Sequence, residues 1–231
     1  MDSNSRILPI FPLPLVQFPA TATPLHIFEE RYRKMLRDIM LTDKTFGITY
    51  HSLEPETGPE TGLDEPLVGS VGCAVEVVKL EPLTDGRSNI LCAGVQRYHL
   101  LNYVEGEPYL QAEVEFFDDE PMGEDLTLEM ERASDLFKRV LAASRHLQHL
   151  EMTEQAEAIE LPDDAAAVSF IIAAGLDLEA TEKQALLELT ETGARLRRVT
   201  AQLEELVRTY ERRAQAHQLA KRNGHGGKSP F

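Results

Sequence analysis

The sequence predicts an α+β chain, β-rich to about residue 120 and helical beyond it, on three observations. An apolar opening run, "ILPIFPLPLVQFPATATPL" (Ile7 to Leu25), carries prolines at 9, 12, 14, 19 and 24 and so cannot be helical. Two runs rich in Val, Leu and Tyr flank "TDGR", and Asp-Gly between such runs is a hairpin signal. After Pro121, apolar residues recur at helical spacing almost to the end of the chain. The expected organisation is a β-rich subdomain over 1–120, a helical subdomain over 121–222 and a disordered tail over 223–231.

In chain order, the opening run reads as extended strand and turn. Central strands reject proline, whereas edges and bulges accept it, so the run is expected at an edge or a strand crossing. From Ile27 the period changes. Phe28, Tyr32, Met35, Leu36, Ile39 and Met40 fall on one helical face, with acids in the first turn and bases later, matching the helix dipole. That helix is expected to hold to the β-rich body through Phe28, Glu29, Arg31 and Tyr32 and to end near Thr42. "FGITY" (Phe46 to Tyr50) reads as a short strand, and the acidic, Pro- and Gly-rich 52–66 as a mobile loop. The runs "VGSVGCAVEVVKLEPL", "SNILCAGVQRYHLLNYV" and "YLQAEVEFFDDEP" complete the β-rich half.

Helices are expected at about 124–150, 163–174, 182–191 and 194–222. Asp163 and Asp164 stand at one start, Gly175 at its stop, and Thr181 to Gln184 has capping-box spacing. Leu196, Val199, Leu203, Leu206 and Tyr210 form a two-heptad stripe in the last helix, suited to packing within a bundle. The short "DDEPMGED" junction (Asp118 to Asp125) predicts that the two halves unfold as one body.

Composition narrows the function. A net charge of −16 disfavours generic binding to nucleic acid or anionic membrane. The charge is uneven: 1–120 carries 9 basic and 20 acidic side chains, while 195–228 carries nine basic against three acidic. An Arg6-led apolar run ending in Ala20-Thr-Ala22 resembles a signal peptide, but its prolines forbid the helical core of one. No stretch has the length of a membrane span. The two cysteines do not make a disulfide framework. With the hairpin turning at Asp85-Gly86, residue i faces about 171 − i, so Cys73 is expected near Tyr98 and Cys92 near Lys79, too far apart to bridge. Reduced, core-filling thiols suit a cytoplasmic protein.

Motifs that carry chemistry are few. "GGKS" (Gly226 to Ser229) lacks the earlier glycine of a phosphate loop, with Arg222 in that place, and lacks its strand and helix. His146 and His149 share a helical face, but no HExxH or Cys cluster supplies further metal ligands. His26 and His99 read as packed or hydrogen-bonded, and neither Cys73 nor Cys92 shows a paired base. No GxSxG, SxxK or dinucleotide fingerprint is present. The pattern points to a binding module, with no catalytic, cofactor or metal residues assigned.

The opening block "LPIFPLPLVQFPATATPLHIFEERYRKMLRDIM" resembles the start of the amino-terminal domain of Lon proteases, where "LPLFPL", "VLFPG" and "PLHIFE" followed by "RYR" recur. The likeness continues through "VGSVGCAVEVVKLE", through "GVQRYHLLNYV" with Gly94 and Arg97, and through the helical segment ending "QLEELV", covering about Ile7 to Tyr210. One departure stands out: Phe18-Pro19-Ala20 replaces the family's usual Phe-Pro-Gly, which is expected to alter that turn. The resemblance is to the stand-alone form of the domain, without ATPase or Ser-Lys peptidase modules. It implies a PUA-like β pseudobarrel followed by an α-helical bundle. It also implies a non-enzymatic module that binds polypeptide clients or a partner protein, with no residue-level binding motif to carry over. RNA binding, known among PUA-like barrels, is the alternative; the acidic β-rich half opposes it, and the basic last helix could touch phosphate.

Overall fold

A computed structural model of the chain describes residues 5–52, 65–121, 123–147 and 160–223. The fold is α+β: among the described residues, six strands form one mixed sheet and there are five helices. It divides into two compact units: 1–121 with 170–192, and 122–169 with 193–231. Residues 170–192 therefore group with the β-rich segment, whereas the sequence places them in the helical subdomain.

The first unit is organised by strands that change partners along their length. β1 (Ser5–Leu13) pairs antiparallel with β6 (Gln111–Phe117) through Ser5–Pro9, and parallel with β3 (Thr45–Tyr50) through Ile10–Leu13. Each half of β1 thus has one neighbour, which leaves an open side for the nitrogens of Pro9 and Pro12. That is how a proline-rich run can lie within a sheet: it is a strand crossing. β5 (Ser88–Val104) behaves alike. Its first half pairs with β2 (Ala22–Ile27), its second half with β6, and both halves with β4 (Val71–Pro82).

Because β6 meets both β1 and β5, strands β1, β3, β4, β5 and β6 close a circuit, the expected pseudobarrel. Bulges sit where strands bend. Val95 is the unpaired residue where β5 exchanges β2 for β6, and Val78 is its counterpart on β4. The register differs from expectation by one residue at the turn, where Leu83 pairs with Arg87, and by one more only between Val78 and Val95, whose bulges offset each other. Cys73 faces Arg97 rather than Tyr98, and Cys92 faces Val77 rather than Lys79.

Two apolar clusters form this unit's core. One joins helix α1 (Glu30–Ile39) to Phe11, Ile27, Phe46, Ile48, Val75, Val77, Ile90 and Cys92. α1 contributes Tyr32, Met35, Leu36 and Ile39, each worth about 1.5–3 kcal/mol on full burial. Phe28 does not join the stripe. Strand pairing persists to Ile27, so the next side chain alternates outward, and Phe28 is 59% exposed. The other cluster surrounds Tyr98, whose hydroxyl meets Thr49 Oγ1 at 2.7 Å. Gly47 and Gly72 make room for it; a Cβ on either would come within 2.4 Å of its phenol group.

The second unit contains α2 (Thr127–Leu147) and α5 from Gly193, a helix that begins at Thr192 and runs to Asn223. Ala133, Val140, Leu196, Val199 and Leu203 are buried, so the leading part of the predicted stripe is core. The first half of α3 (Ala165–Gly175) belongs here, and the Asp164 carboxylate accepts the Ala167 N–H at 2.7 Å, as an N-cap does. Ser169 Oγ accepts from the buried Arg195 Nε at 2.7 Å.

Two cap expectations fail. Gly175 is the last residue of α3 without a left-handed backbone, and α4 (Ala180–Glu188) already contains Thr181, its start at Glu179 having no side-chain cap.

The Phe-Pro-Ala turn keeps the backbone that glycine would favour: Ala20 has φ of 59°. Ala20 N–H donates to Gly94 O at 3.0 Å, and Gly94 N–H to Thr21 O at 2.8 Å. The approach is so close that a Cβ on Gly94 would stand 2.1 Å from Phe18 O. Ala20→Gly should therefore stabilise the protein by about 0.5–1 kcal/mol, the left-handed penalty less the entropy of glycine. Gly94→Ala should cost about 2–3 kcal/mol. Urea melts of the full chain check both signs.

Candidate functional site

The thiols are poor nucleophiles. Cys73 and Cys92 are free and buried, and burial pushes each thiol up to about 12. His26 is exposed and bonded through Nδ1 to Asn89 Oδ1 at 2.7 Å, while His99 stacks on Phe117 with centroids 4.3 Å apart. His146 falls on α2, but its side chain, like all of His149, residues 53–64 and the "GGKS" run, lies outside what is described. Among the described residues, no group of His, Cys, Asp and Glu could hold a metal ion. No helix among them is long and apolar enough to cross a membrane.

The densest polar constellation in the first unit centres on Arg97, 2% exposed on β5. Its guanidinium pairs with Asp119 and donates to the carbonyls of Leu187 at 2.8 Å and Leu189 at 2.6 Å. Phe117 and Phe170 lie against its faces at 4.4 and 5.2 Å. Asp119 also accepts from Thr192 Oγ1, and Glu120 N–H donates to Thr190 O at 2.9 Å. These bonds run to protein carbonyls and a carboxylate, so the cluster holds segments of the chain together. Arg97 was visible in the sequence as part of the family-like strand; Asp119 was not, since one acid among "DDE" carries no signal.

In the second unit, a groove of about 550 Å³ lies between α2 and α5, over Leu136 and Val207. Arg132–Glu204 and Arg139–Glu211 bridge it, each partner advancing seven residues, so the two helices run parallel there. The lining charges balance, with three arginines against Asp135, Glu204 and Glu211, so the groove selects neither anion nor cation.

One surface offers unsatisfied recognition chemistry. The first half of β5 forms a three-stranded arm with β2 on one side and the end of β4 on the other. The β4 edge is guarded by the Val78 bulge, by Lys79–Glu81 paired at 2.7 Å and by Pro82. The β2 edge has no such charges: none of Lys, Arg, Asp or Glu occurs from Ile7 to Phe28. Ala22, Pro24 and His26 are exposed along it, and His26 stacks with the exposed Phe28 at 6.0 Å.

Residues 7–205 match the model of the ATP-dependent protease La (LON) substrate-binding domain, and the chain belongs to that family. It is 30% identical over 199 residues to a Lon protease of Syntrophus aciditrophicus, covering 84% of this chain and 24% of that protein. A Lon protease of Solibacter usitatus is 30% identical over 209 residues, with 87% and 24% covered. The chain thus spans about a quarter of the length of these relatives. The fold matches the crystal structure of a Lon N-terminal domain protein from Xanthomonas campestris, with TM-score 0.60, 22% identity, and 85% and 98% of the two chains covered. It also matches the N-terminal domain of a Mycobacterium avium complex Lon protease, with TM-score 0.62, 13% identity, and 86% and 98% covered.

Two outcomes test this assignment of roles. Arg97→Met should cost about 3–5 kcal/mol in urea unfolding, because Asp119 loses its buried counter-charge. Adding Asp119→Asn should recover part of that loss, a coupling that a double-mutant cycle measures. Iodoacetamide at pH 8 should leave both thiols of the native chain unmodified over hours and label both in urea, read by intact mass.

Proposed function

We propose that this chain is a non-catalytic module that binds polypeptide clients or a partner protein. The observation that carries the reading is the substrate-binding-domain match over 7–205, nearly the whole chain. Two features support it. The thiols, the strongest nucleophiles available, are buried and held protonated, and the buried Arg97–Asp119 pair is spent on internal bonds. The net charge of −16 favours polypeptide over nucleic acid as the ligand. A cytoplasmic setting suits two buried, unpaired thiols.

The test uses the purified full chain with reduced, carboxymethylated lactalbumin as an unfolded polypeptide and native lactalbumin as its folded control. The chain should bind the unfolded form, ignore the folded one, and hydrolyse neither ATP nor casein. A complex with RNA that weakens steeply with salt, in place of polypeptide binding, would contradict the proposal, as would peptidase activity that copurifies with the chain.

A further inference from the structure

We infer that the outer edge of β2 takes an extended, uncharged polypeptide segment as an added strand. The inference rests on the polypeptide-binding reading and names its surface and its mode.

β2 pairs with β5 alone, through Ala22–Ile27, and among the described residues no other strand lies along its far side. An antiparallel strand turns the N–H and C=O groups of alternate residues away from its partner. Proline on an edge strand faces its nitrogen outward, which places the outward set at Ala22, Pro24 and His26. The edge then offers donors at 22 and 26 and carbonyl acceptors at 22, 24 and 26. Such a row recognises main chain irrespective of sequence, which suits a surface that meets many clients.

The side chains along the edge select the kind of segment. Ala22, Pro24, His26 and Phe28 make a ledge without Lys, Arg, Asp or Glu. The ionised groups just after β2 and on the adjoining hairpin are paired with each other: Arg31 with Glu29, Arg33 with Glu30, Arg87 with Asp85, and Lys79 with Glu81. A charged ligand side chain docked there would lose hydration and gain no partner, so small and β-branched residues fit best. A second copy of this chain is a poor occupant. Two β2 edges paired about a twofold through the middle of the strand would set both prolines at the centre of the new ladder, where two donors are missing. The contrast within one arm supports the choice of edge: β4 has the bulge, the charges and the proline that repel added strands, while β2 has a single proline.

The experiment titrates the full chain into a labelled peptide of alternating valine and threonine, followed by fluorescence anisotropy. Two further peptides carry N-methyl groups on one or the other alternate set of residues, so that each has lost one hydrogen-bonding edge. One methylated peptide should bind at least about tenfold more weakly than the parent and the other should match it. Pro24→Thr, which restores the missing donor, should tighten binding of the parent peptide by about threefold to tenfold, the worth of one net hydrogen bond. That gain cannot come from damage to the fold. Equal binding of the two methylated peptides would overturn strand addition while leaving polypeptide binding intact. Asymmetry without any response to Pro24→Thr would overturn the assignment to β2. Failure of every peptide to bind would overturn this inference, and failure with carboxymethylated lactalbumin as well would take the parent reading with it.

Discussion

A guanidinium removed from water must be met on every side, and the first unit is arranged around that demand at Arg97. Its carboxylate partner comes from the segment just after β6, its carbonyl partners from the end of α4, and its stacking partners from β6 and α3. The α3 and α4 segments are distant from β5 in sequence, so satisfying one side chain fixes the place of three pieces of chain. Asp119 extends the constraint to Thr192 at the start of α5. A charge in such a place contributes more through the cost of leaving it unpaired than through the net worth of the pair. This explains why 170–192 pack with the β-rich segment, although their composition reads as an ordinary helical continuation.

The helical and β-rich character of the chain was legible because local chemistry dictated it. Asp85-Gly86 made the hairpin, the α1 stripe put Tyr32, Met35, Leu36 and Ile39 in the core, and five prolines ruled out helix in the opening run. What was illegible depended on partners far away in sequence. Phe28 continued the helical period on paper, yet the pairing of Ile27 with Ser88 kept the chain extended for one residue more and turned the ring outward. The register of the hairpin slipped by one because the turn centres on Asp85, with Leu83 opposite Arg87, and Val78 and Val95 add a second, local shift between them, the latter where β5 changes neighbours. Ala20 shows the reverse case. The sequence implied an altered turn, whereas the two hydrogen bonds to Gly94 hold alanine in the left-handed conformation that glycine would take freely.

The same reasoning separates architecture from recognition. Prolines 9 and 12 lie where each half of β1 already has a neighbour on one side only, so they are devices of the crossing. Pro24 lies on a strand with one side open to solvent, where it interrupts a row of donors without removing the row. Sequence alone treated all five prolines as one feature, because distinguishing them needs the strand order. The uncharged stretch from Ile7 to Phe28 was visible as composition; its meaning as an unguarded edge emerged only once β4 supplied a guarded one for comparison.

The central claim is that this chain recognises extended polypeptide on the β2 side of its β5 arm. Amide hydrogen exchange of the full chain, with and without carboxymethylated lactalbumin, tests it most directly, because it reports each segment separately under native conditions. The account predicts new protection confined to 22–28 and to the adjoining residues of β5, with α2 and α5 unchanged. Protection appearing instead along the groove between Arg132 and Glu211, with 22–28 exchanging as before, would contradict it.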